Sequence, residues 1–206
     1  GVSGKSINMI KAILFDADGV ALKARSRFFS ERFAEKQGIP ITDVIPFFKN
    51  EMRQAFTGGV DIKEALKSYL SKWKWQGSVD DFLAHWFGEE SPRDEEVLQY
   101  ISTLRAAGIK CYLATDREPY WGKYLVETVG LKDSFDGFMF SYDIGHEKHH
   151  PEYFQEVLKR LGLTPADVMY WDDDQKNVDV AKGVSLDARF YTNLDNLKKE
   201  TADLPA

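Results

Sequence analysis

Two aspartates follow directly after an apolar run near the start of the chain. Residues 12–15 read Ala-Ile-Leu-Phe, and Asp16-Ala-Asp18-Gly19 comes next. A short apolar run that ends in a turn signal predicts a strand buried on both faces. Open α/β sheets bind their ligands at the carboxyl ends of such strands. Because a buried charge is costly unless it is paired, we expect Asp16 and Asp18 to have partners at this end of the strand.

Other polar residues occupy equivalent positions further along the chain. Thr115 ends the second predicted strand, Asp172 and Asp173 follow the fourth, and Lys148 lies in the loop before a helix that begins at Pro151. In a parallel sheet these strand ends share one edge. Two unit charges about 4 Å apart interact by about 4 kcal/mol at an effective dielectric constant of 20. Clustered carboxylates at this edge therefore predict a bound cation.

The residue types at this edge indicate a particular chemistry. Oxygen ligands favour a hard cation, Mg²⁺ before Ca²⁺, and Lys148 and the Thr115 hydroxyl are suitable donors to an oxyanion. A metal ion, a lysine, a hydroxyl and backbone N–H groups around one anion are the components of phosphoryl transfer. Solvated acids at strand ends remain the simpler alternative. A zinc site at His146, His149 and His150 is a further alternative, although their loop shows no accompanying carboxylate–cysteine set.

The elements that position these residues follow from the apolar pattern. Apolar runs alternate with amphipathic segments of about a dozen residues, which predicts right-handed βαβ units around a parallel sheet. We expect an α/β fold with a three-layer Rossmann-like core and a five-stranded parallel sheet. The expected strands begin at Ala12 and cover residues 109–114, 135–140, 167–171 and 187–191.

One block, residues 24–89, contains helical periodicity and no convincing strand. Its expected helix starts are Thr42, Ser78 and Asp61, the last with Glu64 as its capping-box partner. We predict that this block is a small all-helical domain inserted after the first strand.

The predicted domain organisation follows from this insertion. The α/β core would comprise residues 9–23 and 90–206, and the inserted helical domain residues 24–89. Residues 1–8 resemble a tag remnant or a disordered N-terminus, with Met9 as the native start.

Composition restricts the partners. The 206 residues carry a net charge of −6, which argues against the basic surface of a nucleic-acid-binding protein. There is no apolar run of about 18 residues, the length expected of a membrane span, and no signal peptide is visible. Cys111 is the single cysteine, within a predicted buried strand, so we expect a core residue and a cytoplasmic protein. The oligomeric state is left open between monomer and homodimer.

Four motifs in this order resemble those of the haloacid dehalogenase-like (HAD) hydrolase superfamily. The resemblance covers about residues 10–192, with the helical block where that family carries a type C1 cap. The motifs are Asp16-x-Asp18-Gly19, Thr115-Asp116, Ser141-x3-Gly145-x2-Lys148 and Asp172-Asp173-x3-Asn177.

The resemblance implies an enzyme that hydrolyses a small phosphate monoester. Asp16 would be the nucleophile that forms an aspartyl-phosphate, and Asp18 the general acid and then the general base. Members that dehalogenate lack an acid at the Asp18 position and need no metal. A phosphomutase of the same superfamily, or a catalytically idle phosphate-binding regulatory domain, remains an alternative.

The resemblance also implies the ligand set. Mg²⁺ would be held by Asp16, the backbone carbonyl of Asp18 and Asp173, with Asp172 as a further ligand or as a residue that orients the others. Gly19 and Asn177 would support this site.

The phosphoryl group would be held by Thr115 and Lys148, and we add the neighbouring Asp116 to this set. Two departures concern substrate preference. The family usually has asparagine at the Asp116 position, and usually has proline directly after its lysine, where this chain has His149.

Overall fold

The computed structural model describes residues 9–204, and its centre is one five-stranded sheet in the order β3-β2-β1-β4-β5. Every neighbouring pair of strands is parallel. The predicted α/β fold with a five-stranded parallel sheet is therefore confirmed. The strands are β1 (Ala12–Phe15), β2 (Lys110–Thr115), β3 (Gly137–Phe140), β4 (Val168–Asp172) and β5 (Asp187–Phe190).

The central strand β1 is buried on both faces, which explains its uninterrupted apolar run. Ile13 and Phe15 pack into the cluster that extends to the cap helices, whereas Ala12 and Leu14 pack into the cluster on the other face. Successive side chains of a strand point to opposite faces, so both faces of β1 must be apolar. Helices on either side of the sheet give the core three layers.

The register of the sheet places the polar strand ends together. Phe15 lies opposite Leu113 of β2 and opposite Trp171 of β4. The Asp16 N–H continues the ladder by donating to the Trp171 carbonyl at 3.0 Å. The residues that follow β1, β2 and β4 therefore emerge at the same level of one sheet edge.

Six helices lie between β1 and β2, and the first five form the predicted helical insertion. Their core is aromatic: the ring centroids of Phe33 and Phe82 are 5.4 Å apart, and those of Phe47 and Trp73 are 5.7 Å apart. This packing gives the insertion an apolar interior, and we keep residues 24–89 as its proposed boundary. The helices are α1 (Phe29–Gln37), α2 (Ile41–Lys49), α3 (Glu51–Ala55), α4 (Ile62–Leu70) and α5 (Val79–Glu90).

The helix starts are partly as predicted. Asp61 caps α4 by accepting from the Lys63 N–H at 2.9 Å, and Ser78 caps α5. Thr42 as an N-cap is wrong, because Pro40, whose backbone is extended, is the N-cap and α2 begins two residues earlier, at Ile41.

Glu64 is not a capping-box partner, since its carboxylate faces the Lys67 ammonium at 2.8 Å.

Six further helices follow the insertion. The α-helix that begins at Pro119 continues directly as a π-helical segment, Tyr124–Thr128. Across residues 9–204 there is no helix with the length and hydropathy needed to cross a bilayer. The predicted tag remnant, residues 1–8, lies outside the described residues. The helices are α6 (Glu95–Ala106), α7 (Pro119–Lys123), α8 (Ser141–Ile144), α9 (Pro151–Leu161), α10 (Gln175–Gly183) and α11 (Leu194–Thr201).

Candidate active site

A pocket of about 300 Å³ lies at the carboxyl edge of the sheet. All of the site residues predicted from the sequence line it, so the topology brings together side chains that are up to 161 positions apart. These residues are Asp16, Asp18, Gly19, Thr115, Asp116, Lys148, Asp172, Asp173 and Asn177.

Lys148 bridges two buried carboxylates at the base of the pocket. Its Nζ lies 2.6 Å from Asp16 Oδ1 and 3.0 Å from Asp172 Oδ2. The lysine is only 3% exposed and Asp172 is fully buried. Asp16 Oδ1 also accepts from the Ala17 N–H at 2.8 Å. These two bonds occupy Oδ1 and leave Asp16 Oδ2 for other partners.

Asp172 is held by residues on both sides of it in the chain. Its Oδ1 accepts from the Asp174 N–H at 2.8 Å, and its Oδ2 accepts from Tyr170 Oη and from Asn177 Nδ2. Asn177 lies inside α10, which Asp174 caps. Asn177 is therefore not the N-cap of α10, and its side-chain amide bonds Asp172 instead.

The carboxylates carry more charge than Lys148 neutralises. Burial raises the pKa of Asp16 well above its usual range; Lys148 opposes this shift and Asp172 adds to it. Burial also raises the pKa of Asp173. For Lys148, burial would lower the pKa, but Asp16 and Asp172 reverse this effect and hold its pKa well above the usual value. One ammonium therefore lies among several acids that need a further cation.

Three carboxylates meet the requirements of a hard cation. Asp16, Asp172 and Asp173 each present an oxygen within 4.8 Å of the others. Gly19 has φ +83°, and a Cβ there would lie 2.0 Å from Asp173 Oδ2. Glycine is thus required both by the backbone conformation and by the position of Asp173. An all-oxygen donor set with surplus negative charge fits Mg²⁺.

Arg117 was not predicted from the sequence, although it contacts Asp18. Its Nη2 lies 2.8 Å from both carboxylate oxygens of Asp18, and its Nη1 donates to Thr115 Oγ1 at 3.1 Å. The guanidinium lies 4.1 Å from the centroid of the Trp121 ring. Arg117 is 3% exposed, and within residues 9–204 its Nε has no hydrogen-bond partner.

The backbone also holds Arg117 in place. Its N–H donates to Ser141 Oγ at 3.0 Å, and that hydroxyl donates to the Arg117 carbonyl at 3.2 Å. The signal available in the sequence was an arginine two positions after Thr115 and four before Trp121. That spacing does not reveal a contact with Asp18, which lies 99 positions away.

Asp116 lines the pocket, but its carboxylate is bonded to the chain. Asp116 Oδ1 accepts from the Lys148 N–H at 3.0 Å, which fixes the loop that carries the lysine. Asp116 also lies with Glu147 and His149 in a group whose ligand atoms are within 4.8 Å of one another. The Arg53 guanidinium is 3.4 Å from Glu147. Zinc binding at His146, His149 and His150 stays an untested alternative.

A family model described as haloacid dehalogenase-like hydrolase matches residues 10–184. The chain is similar to the phosphorylated carbohydrates phosphatase of Thermotoga maritima, at 26% identity over 96% of this chain and 91% of the relative. The D-ribitol-5-phosphate phosphatase of Bacteroides thetaiotaomicron is 28% identical over 51% of this chain and 53% of the relative.

Among solved structures, the fold is similar to that of a HAD family enzyme of Bacteroides thetaiotaomicron in complex with magnesium and inorganic phosphate. The TM-score is 0.76 at 19% identity, and the match covers 91% of this chain and 98% of that chain. At this identity the likeness concerns the fold.

Proposed function

Because the chain belongs to the haloacid dehalogenase-like hydrolase family, we propose that it is a Mg²⁺-dependent phosphatase acting on a small phosphorylated metabolite through an aspartyl-phosphate at Asp16. The observation that carries this proposal is the buried bridge from Lys148 to Asp16 and Asp172, with Asp18 at the same sheet edge. The phosphatase relatives and the magnesium–phosphate complex of a protein with the same fold support it.

Asp18 favours phosphate ester hydrolysis over dehalogenation. A departing halide needs no proton, whereas an alkoxide leaving group is poor unless an acid protonates it. Asp18 follows Asp16 by two positions and lines the same pocket, and its side chain is 40% exposed. We therefore assign it to the leaving group.

Mg²⁺ would be held by the carboxylates of Asp16 and Asp173 and by the backbone carbonyl of Asp18, with Asp172 as a further ligand or orienting group. When bound, the ion supplies positive charge that offsets the charge of the phosphoryl oxygens. Lys148 and the Thr115 hydroxyl add hydrogen-bond donors to the same oxygens. Asp116, whose carboxylate bonds the Lys148 N–H, supports this arrangement by fixing the lysine loop.

The residues then divide the reaction into two displacements. Asp16 Oδ2, the oxygen not engaged by Lys148 and Ala17, attacks phosphorus. The bond from phosphorus to the leaving oxygen breaks, and Asp18 transfers its proton to that oxygen. In the second displacement Asp18 takes a proton from water, the water oxygen attacks phosphorus, and the bond to Asp16 breaks. Phosphate is released and both aspartates return to their starting states.

A phosphate-release assay with an aryl phosphate, a sugar phosphate and Mg²⁺ tests the proposal. We expect turnover that a chelator abolishes and that Asp16→Asn removes while the fold is retained. Absence of phosphate release from a broad panel of monoesters would favour an idle binding domain. Transfer of the phosphoryl group to a second hydroxyl of a sugar phosphate, without free phosphate, would indicate a mutase.

A further inference from the structure

A second cavity, of about 230 Å³, lies where the cap helices meet α7 of the core. Six aromatic side chains and Met52 line it, against three polar residues, Arg25, Ser30 and Glu90. We call it the aromatic cavity. Apolar protein cavities of about 150 Å³ bind benzene, so this volume is sufficient for one aromatic ring.

The aromatic cavity adjoins the phosphate pocket at two places. Arg25 lines both cavities. Arg117, which lines the phosphate pocket, lies 4.1 Å from the ring centroid of Trp121, which lines the aromatic cavity. A substrate group that extends from a phosphoryl group at Asp16 towards the cap would therefore lie next to this cavity.

The two charged residues of the aromatic cavity, Arg25 and Glu90, are already paired. Arg25 forms an ion pair with Glu90, and Glu90 Oε1 also accepts from Arg32 Nη2 at 3.0 Å. Among the described residues that line the cavity, this leaves the Ser30 hydroxyl as a polar contact. A polyol would lose water from several hydroxyl groups here without regaining equivalent hydrogen bonds, which is costly. An aromatic group loses no such bonds and gains contacts with the rings.

We propose that the aromatic cavity binds the leaving group, and that the substrate is the phosphate ester of an alcohol that carries an aromatic ring. This inference rests on the phosphatase function proposed above. Phe28 forms part of the wall at the solvent side: it is 63% exposed, and its ring centroid lies 5.6 Å from the Arg25 guanidinium. Its side chain can therefore be removed without opening the buried core.

The test compares three esters of primary alcohols, so that the departing oxygen is chemically matched: 2-phenylethyl phosphate, ribitol 5-phosphate and methyl phosphate. We expect kcat/KM for 2-phenylethyl phosphate to exceed that for ribitol 5-phosphate by about tenfold or more. Phe28→Ala should lower the ratio of kcat/KM for 2-phenylethyl phosphate to that for methyl phosphate by about tenfold. Phe190→Ala is the matched control, because Phe190 is 42% exposed on β5 and lines neither cavity.

The outcomes separate the two proposals. Turnover in which ribitol 5-phosphate is hydrolysed as well as or better than 2-phenylethyl phosphate would overturn the aromatic leaving group and keep the phosphatase. An unchanged substrate ratio in Phe28→Ala would do the same. No phosphate release from any of the three esters would overturn this inference, and no release from the broad panel either would remove the phosphatase function with it.

Discussion

Arg117 Nη2 lies 2.8 Å from both carboxylate oxygens of Asp18, although 99 positions separate the two residues in the chain. The same guanidinium bonds the Thr115 hydroxyl. It thereby ties the proposed proton carrier at the end of β1 to the proposed phosphate ligand at the end of β2. The guanidinium of Arg117 is buried, whereas the carboxylate of Asp18 is half-exposed and is freer to move. We therefore infer that Arg117 sets the position of Asp18.

Removing the guanidinium should impair proton transfer to the leaving group. We expect Arg117→Ala to lower kcat for alkyl phosphates by about tenfold to a hundredfold, and to lower it less for aryl phosphates whose leaving group needs little protonation. Combining Arg117→Ala with Asp18→Asn should cost less than the sum of the two single losses, since part of the Arg117→Ala loss acts through Asp18. Steady-state kinetics over a series of leaving groups measures this.

Arg105→Ala is the control for the loss of an arginine, because Arg105 pairs with Asp136 outside the pocket. Its kinetics should match wild type. Equal losses for alkyl and aryl phosphates in Arg117→Ala would show that Arg117 does not act through Asp18.

Gly19 provides a test of the metal site in which none of the proposed ligand residues is substituted. In Gly19→Ala the new Cβ would lie 2.0 Å from Asp173 Oδ2, so the Asp173 carboxylate must move. Gly162→Ala is the matched control: Gly162 has φ +64° and open space around the new Cβ. Both variants should lose about 1 kcal/mol of stability from the positive φ, but only Gly19→Ala should lose Mg²⁺ affinity. Calorimetric titration with Mg²⁺ measures the affinity of both variants. Equal Mg²⁺ affinity in Gly19→Ala and Gly162→Ala would contradict the proposed metal site.

The parts of this structure that sequence analysis predicted depend on local patterns. The run that precedes Asp16 predicts a buried strand, and parallel topology then gathers the strand ends without knowledge of any side-chain contact. The contacts themselves follow from tertiary placement: Arg117 on Asp18, Asn177 on Asp172, and Asp116 on the Lys148 N–H. No periodicity encodes these pairs, because each depends on the register of separate strands and on loop conformation.

Lys148 is expected to stabilise the fold as well as to bind phosphate. Lys148→Met leaves the buried Asp16 and Asp172 without their shared cation, which should cost about 3–5 kcal/mol of unfolding free energy. Mg²⁺ should recover part of this loss, because it would bind among the same carboxylates. Denaturant unfolding with and without Mg²⁺ measures both effects.

Lys182→Met, which removes an exposed lysine of α10, serves as the control and should change stability by no more than about 0.5 kcal/mol. A Lys148→Met protein as stable as this control would mean that the bridge contributes nothing to folding.

Glu118 should make stability depend on pH. It is fully buried at the start of α7, and burial raises its pKa from 4.5 to about 7 against the opposing bonds from the Tyr120 and Trp121 N–H groups. The folded state then binds more protons than the unfolded state between these values, so this contribution to stability falls as pH rises from 4.5 to about 7. The wild-type advantage over Glu118→Gln should shrink by about 3 kcal/mol across that range. A difference in unfolding free energy that does not change with pH would contradict this.

In the proposed mechanism Asp16 carries the phosphoryl group between the two displacements. The direct measurement is a single turnover with excess enzyme and Mg²⁺, quenched in acid, digested with pepsin and analysed by fragmentation mass spectrometry. We expect a phosphoryl group on Asp16 and not on Asp18, and we expect neither phosphorylation nor turnover in Asp16→Asn. A phosphoryl group on any other residue, or phosphate release by Asp16→Asn at the wild-type rate, would contradict this mechanism.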